Sequence, residues 1–322
     1  MTLTPRQSYT IQVIRGICII AVVVTHSGPI GFPLVFYRPV INCAVGVFLF
    51  LSGLLSSAER WHPLKRISKV IFPYIVWTLI YAGIKYFNEP AKIPLDFLCK
   101  LFKGNATSTM YYVLVYCQFA LLIPLIDKLA RSRFKILGFL ISPFEMIVMR
   151  YLPVLLGYEN SEAVSIIMGI SCLVWFTYFY TGYLLGNNLM EIKISNVVLV
   201  LALIASIVLE SFETYLIYCT GDTDPGTQKK LTSLLTGFLF TLIFYRIIKS
   251  GKCPEIKSLH LLGDYSFGIY LCHIAFIYFM KFIPGYKDIF IFPVNSAIAL
   301  LISLLFVVLI KKLLGKYSKY VI

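Results

Sequence analysis

Apolar residues run along this chain in long blocks, and polar residues collect in the short intervals between them. Ten apolar segments can be placed, at about 9–30, 38–57, 68–87, 110–127, 135–153, 164–186, 195–215, 231–249, 260–281 and 290–311. About 20 mainly apolar residues in helical form span a bilayer's hydrocarbon core, so each segment reads as a membrane helix. The longest intervals are 88–109 and 216–230. The second contains YCTGDTDPGTQKK and reads as a turn-rich loop. No repeat of 20–50 residues and no Pro-rich or Gly/Ser linker divides the chain. The expected fold class is therefore all-α, a polytopic protein of about ten transmembrane helices forming one integral-membrane domain over residues 1–322.

Composition supports the lipid-embedded reading. The chain is 59% hydrophobic and 14% charged, with a mean hydropathy of +0.83. A soluble domain of this length has no interior large enough for that much apolar surface. The net charge of +14 has a topological explanation. With the N-terminus inside, 19 of the 29 Lys and Arg residues fall on inner loops and helix ends. Both termini are then expected in the cytoplasm and the protein in the plasma (inner) membrane, with no nucleic-acid partner needed. The first segment is read as a retained helix, because Arg15 interrupts its apolar stretch and no small-residue cleavage site follows.

Eight cysteines contain no CxxC, and the four histidines are scattered, so no metal site is expected. Cys99 and Cys219 both fall in predicted outer loops, where pairing and free thiols are both open.

Against this background Arg15 and His26 stand out. Both lie in the first segment, and an ionisable side chain among apolar residues marks a functional site by default. Eleven residues at about 100° each return to nearly the same helix face, and a rise of about 1.5 Å per residue separates them by roughly 16 Å. The alternatives are a snorkelling arginine and a histidine hydrogen-bonded at the lipid interface. Glu145 lies inside the fifth segment as an intramembrane acid with no partner named by the sequence. Glu210 and Glu213 lie toward the outer end of the seventh, within reach of solvent. Gly46 and Gly53, with Ser52, point to close packing near the first helix.

Several local patterns occur together. Arg15 and His26 open the first helix. GVFLFLSGLL runs from Gly46 to Leu55, and a basic stretch from Arg60 through Lys65 and Arg66 to Lys69 precedes Phe72-Pro73-Tyr74. The ninth segment reads GDYSFGIYLCH, from Gly263 to His273. In this order they resemble the membrane-bound acyltransferase 3 family, which O-acylates surface glycans with cytoplasmic acyl-CoA. Two departures are visible. The family often carries two arginines in the basic stretch, whereas Arg66 is followed by Lys69, which lacks the planar bidentate fork. Its fourth segment often opens on a His-Leu-Trp-Phe-like run, which here is Met110-Tyr111-Tyr112-Val113. Some members carry a soluble hydrolase-like domain; none is expected here.

The resemblance implies acyl transfer, acetyl first, from acetyl-CoA or another acyl-CoA to a hydroxyl of a surface or lipid-linked glycan. Acyl-CoA is a donor substrate, and no permanently bound cofactor is expected. Membrane lipids and the glycan complete the expected partners. His26 is the candidate general base, since a neutral imidazole suits the activation of a sugar hydroxyl. Arg15 keeps its proton and is a candidate for donor phosphate or carbonyl binding. Arg66 and Lys69 are candidates for donor phosphate. Tyr270 and His273, three apart on one face with Ser266 beside them, are candidates for lining a substrate cavity or for interhelical hydrogen bonding. Asp264 reads as a helix-start acid. The competing readings are a transporter or flippase and a scaffold for polysaccharide export.

Overall fold

The computed structural model describes residues 3–157, 162–221, 224–286 and 291–322. Residues 222 and 223 of the interval 216–230, and residue 290 at the start of the tenth apolar segment, lie outside them. Helix is the only regular secondary structure among the described residues: α1 (Pro5–Ser27), α2 (Leu34–Ile41), α3 (Cys43–Leu54), α4 (Pro63–Lys85), α5 (Ile93–Lys103), α6 (Tyr111–Arg131), α7 (Ile141–Met146), α8 (Leu152–Leu155), α9 (Glu162–Ile170), α10 (Phe176–Gly186), α11 (Asn196–Cys219), α12 (Leu231–Ser250), α13 (Lys257–Asp264), α14 (Ser266–Met280) and α15 (Val294–Leu314).

Among the described residues, seven helices are long and apolar enough to cross a membrane, or eight if the broken pair α13 and α14 counts as one span. Two of the ten expected segments, the fifth and the sixth, are locally interrupted. The fifth apolar segment is a succession of short pieces: a 3₁₀ turn (Lys135–Leu140), α7, a π turn (Ile147–Tyr151) and α8. The sixth is broken between α9 and α10. Backbone groups freed inside an apolar protein need partners. Gln118 supplies two of them at the second break, donating to the Ile170 carbonyl at 2.7 Å and accepting from the Cys172 N–H at 3.1 Å. Ser142 does similar work, donating to the Leu173 carbonyl at 2.8 Å and accepting from the Thr177 N–H at 2.9 Å.

The chain divides into two compact units. The first comprises Met1–Trp61, Ile123–Asn160 and Leu173–Asp264. Two close helix contacts organise it, and glycine permits both. A Cβ on Gly16 of α1 would lie 2.0 Å from the Leu259 carbonyl oxygen of α13, and one on Gly263 would lie 2.0 Å from the Gln12 oxygen of α1. Gly53 and Gly182 let α3 and α10 approach in the same way, against the oxygens of Phe179 and Phe50. Gly46 makes room for the Tyr178 ring. Gly46 and Gly53 therefore face α10, and α3 also packs against α1, as the sequence suggested.

The second unit comprises His62–Leu122, Ser161–Cys172 and Tyr265–Ile322. Here α4 is tied to its surroundings by buried polar groups donating to main-chain carbonyls. Tyr81 donates to Leu271 at 2.7 Å, Trp77 to Val321 at 2.8 Å and Tyr74 to Leu101 at 2.6 Å. Such bonds keep polar rings satisfied inside an apolar interior.

Candidate functional site

α1 starts and stops for reasons legible in its ends. Thr4 accepts from the Gln7 N–H at 3.2 Å while Gln7 returns a bond to the Thr4 N–H at 3.1 Å, and Pro5 occupies the first helical position. At the other end, the Gly28 N–H donates to the Val24 carbonyl at 2.8 Å. The next carbonyl, that of Thr25, would need an N–H from Pro29, which has none. Arg38 of α2 supplies the donor, its Nη1 lying 3.3 Å from the Thr25 oxygen. Between these ends the helix is unbroken, so Arg15 and His26 share a face at roughly 16 Å axial separation. Both side chains are half-buried. Arg15 has Gln12 Oε1 one turn before it at 3.5 Å, beside the tight α1–α13 contact.

His26 neighbours a polar network. Arg38 is largely buried, with 13% of its side chain exposed, and its Nη2 pairs with Asp224 at 3.5 Å. One turn on, Asn42 donates to Glu210 Oε1 at 2.9 Å and to the Gly226 carbonyl at 3.2 Å. Ser233 donates to the same Glu210 oxygen at 2.6 Å. Lys230, fully buried, donates to Thr214 Oγ1 and to the Pro225 carbonyl, the latter at 3.1 Å. Tyr151 and Thr232 both donate to Glu213, Tyr151 at 2.7 Å. The reading of Glu210 as solvated is overturned, since it is 0% exposed, while Glu213 is half-buried and keeps some access to solvent. The described residues 224–230 form turns and bends as expected, but Pro225, Gly226 and Thr227 are buried.

Burial sets the charge balance here. It pushes the Lys230 ammonium down from its ordinary pKa, partly offset by Glu210 and Glu213. Lys229 is pushed down to about 8 by burial, with Asp224 opposing and Arg150 reinforcing the shift.

The remaining candidates are placed as follows. Glu145 is half-buried in the last turn of α7, just before the π turn. Arg66 and Lys69 belong to the second unit and are helical: α4 begins at Pro63, so they sit three apart on one face of its first turns. Arg66 is half-buried and Lys69 exposed. Tyr270, 5% exposed, donates its hydroxyl hydrogen to the Thr109 carbonyl and lies against the Tyr112 ring at 5.4 Å. His273 is 0% exposed, with Nδ1 3.0 Å from the Ile269 oxygen one turn back. The structure thus shows Arg15, His26 and Glu145 within the first unit and Arg66, Lys69, Tyr270 and His273 within the second.

Asp264 is corrected in position. It ends α13 rather than starting a helix, and His260 Nδ1 lies 3.2 Å from its carboxylate while the His260 ring stacks on Tyr9 at 4.6 Å. Cys99 and Cys219 are exposed free thiols. No group of three or more metal-ligating side chains occurs among the described residues. A polar cleft of about 510 Å³ in the first unit, lined by Glu191, Asn196, Tyr245, Arg246 and Lys249 among others, also went unforeseen.

Residues 8–312 match the family described as Acyltransferase domain, acyltransferase 3. The chain belongs to this family. No curated protein and no solved structure matches it. Membership makes the chain a membrane-associated acyltransferase and gives the α1 pair a chemical context: one helix of an acyltransferase presents a guanidinium and, three turns on, an imidazole.

Proposed function

We propose that this acyltransferase moves an acyl group, acetyl first, from cytoplasmic acyl-CoA to a hydroxyl of a surface or lipid-linked glycan, acting in the plasma membrane with both termini inside. The observation that carries the reading is the unbroken α1, which holds Arg15 and His26 on one face about 16 Å apart. In this scheme a neutral His26 nitrogen takes the proton of the acceptor hydroxyl as its oxygen attacks the thioester carbonyl. The tetrahedral intermediate collapses with loss of CoA thiolate, and the imidazolium returns the proton to sulfur. No acyl-enzyme is required.

In the first unit Arg15 is the candidate for binding donor phosphate or carbonyl oxygens. In the second unit, taken by itself, Arg66 and Lys69 are candidates for donor phosphate at the start of α4, where free backbone N–H groups also favour anions. Glu145 is kept as the intramembrane-acid candidate in α7. Within the second unit Tyr270 and His273 are kept as substrate-binding candidates, with the Tyr270 hydroxyl hydrogen committed to the Thr109 carbonyl.

Two measurements test this. Mass analysis of surface glycan from a deletion strain is expected to show loss of an acetyl mass, and an unchanged glycan defeats the acceptor class. Arg15→Ala is expected to raise the apparent KM for acetyl-CoA at least tenfold, about 1.4 kcal/mol of lost charge-assisted binding. An unchanged KM removes Arg15 from the donor site. A glycan that is acetylated but retained inside the cell identifies a carrier instead.

A further inference from the structure

Glu210 lies in α11, far from His26 in sequence, yet a continuous series of contacts leads from one toward the other within the first unit. Glu210 Oε1 accepts from Asn42 and from Ser233. Asn42 uses its second amide hydrogen on the Gly226 carbonyl. Gly226 is the floor on which Arg38 lies: a Cβ there would stand 2.6 Å from Arg38 Nε and 3.1 Å from its Cγ. Arg38 in turn caps the Thr25 carbonyl, which Pro29 leaves without a backbone donor, immediately before His26. Asp224, at the start of the same segment, holds the other guanidinium nitrogen.

We propose that Glu210 is a positioning residue: through Asn42 it pins segment 224–230, and through Arg38 that segment fixes the last turn of α1 and the direction of the His26 ring. The proposal rests on His26 as the base. It deepens that reading by naming what aims the imidazole, since placing a base within hydrogen-bond reach of a hydroxyl tolerates errors of well under about 1 Å. Neither proton transfer nor charge on Glu210 enters this role. What the role requires is an acceptor at Oε1. A glutamine at 210 keeps the Oε1 acceptor for Asn42 and Ser233, so it preserves the pin while removing the carboxylate.

The test compares Glu210→Leu, Glu210→Gln and Gly226→Ala in purified full-length protein, by acetyl transfer and by hydrogen exchange of the 224–230 amides. Glu210→Leu is expected to speed exchange in that segment and to lower kcat about tenfold or more, with the KM for acetyl-CoA unchanged because Arg15 lies three turns away. Glu210→Gln is expected to keep both the slow exchange and kcat within about twofold, although loss of a negative charge near buried Lys230 lowers its Tm. Gly226→Ala leaves Glu210 and Asn42 intact and displaces Arg38, so it is expected to lower kcat alone even if Glu210→Leu does not fold. A Gln variant as inactive as Leu overturns the proposal in favour of proton transfer by Glu210. Fast exchange with undiminished kcat, or full activity in Gly226→Ala, overturns it as well. Failure of His26→Ala to reduce transfer defeats the base assignment separately, since the exchange measurement does not depend on it.

Discussion

Gly263 offers a quantitative test of how α1 is held. An alanine there places a methyl carbon 2.0 Å from the Gln12 oxygen and 2.7 Å from its carbonyl carbon, and both are main-chain atoms of a long helix. Ordinary contact begins near 3.4 Å, so α1 and α13 must part by about 1.4 Å or bend. Neither atom is the end of a flexible side chain, and the reciprocal contact at Gly16 must open at the same time. Overpacking of this kind costs about 1–3 kcal/mol, with backbone against backbone at the upper end. Gly83 is the control. It sits inside α4, a Cβ on it meets nothing within 4 Å, and alanine there is expected to gain about 0.5–1 kcal/mol of helix propensity. The two Gly→Ala changes should therefore differ by about 2–4 kcal/mol in opposite directions. Thermal unfolding in one detergent, followed by the fraction remaining monodisperse, measures this directly. Equal behaviour of Gly263→Ala and Gly83→Ala refutes the close approach of α1 to α13. Because Gln12 lies one turn before Arg15, the Gly263 variant is also expected to raise the KM for the donor.

Two further outcomes follow from buried polar groups. Gln118→Leu leaves the Ile170 carbonyl and the Cys172 N–H without their partner, and at about 1–3 kcal/mol per orphaned group it should lower stability by about 2–6 kcal/mol. An unchanged Tm shows that the break between α9 and α10 is satisfied otherwise. Lys229 has a folded pKa of about 8 against an ordinary value of 10.5, so the folded state holds fewer protons across that interval and stability rises as pH climbs through it. Below pH 8 both states are charged and the burial penalty is constant. Lys229→Met should therefore raise Tm at pH 7, by an increment that shrinks toward pH 10.5; a pH-independent increment contradicts the assigned cause.

How much of this was legible in the chain depends on the distance over which each residue acts. The long apolar runs with intact ends, such as α1, α11 and α12, follow from local pattern alone. The sixth segment is just as apolar, but Gln118 and Ser142 satisfy the backbone at its break from other parts of the chain. Apolarity alone therefore does not show where a helix is interrupted. Arg15 and His26 were visible because charge inside an apolar run is itself unusual. Glu210 was passed over because counting residues to the helix end says nothing about a following segment that folds back over it. The adjacent lysines at 229 and 230, after Asp224-Pro225-Gly226, read as an ordinary polar turn. Their burial depends on Thr214 and the Pro225 carbonyl being in place to receive Lys230. Asp264 was misplaced for a related reason, since the break at Tyr265 separates two helices within one apolar run.

The central claim is that His26 activates the acceptor hydroxyl. Purified protein reconstituted in vesicles, supplied with radiolabelled acetyl-CoA and a lipid-linked glycan, reports it in a single turnover. His26→Ala is expected to reduce the transfer step by about 10²–10⁴-fold, the usual contribution of a general base, while binding acetyl-CoA as before. Transfer at the unaltered rate by a folded His26→Ala protein would contradict the account.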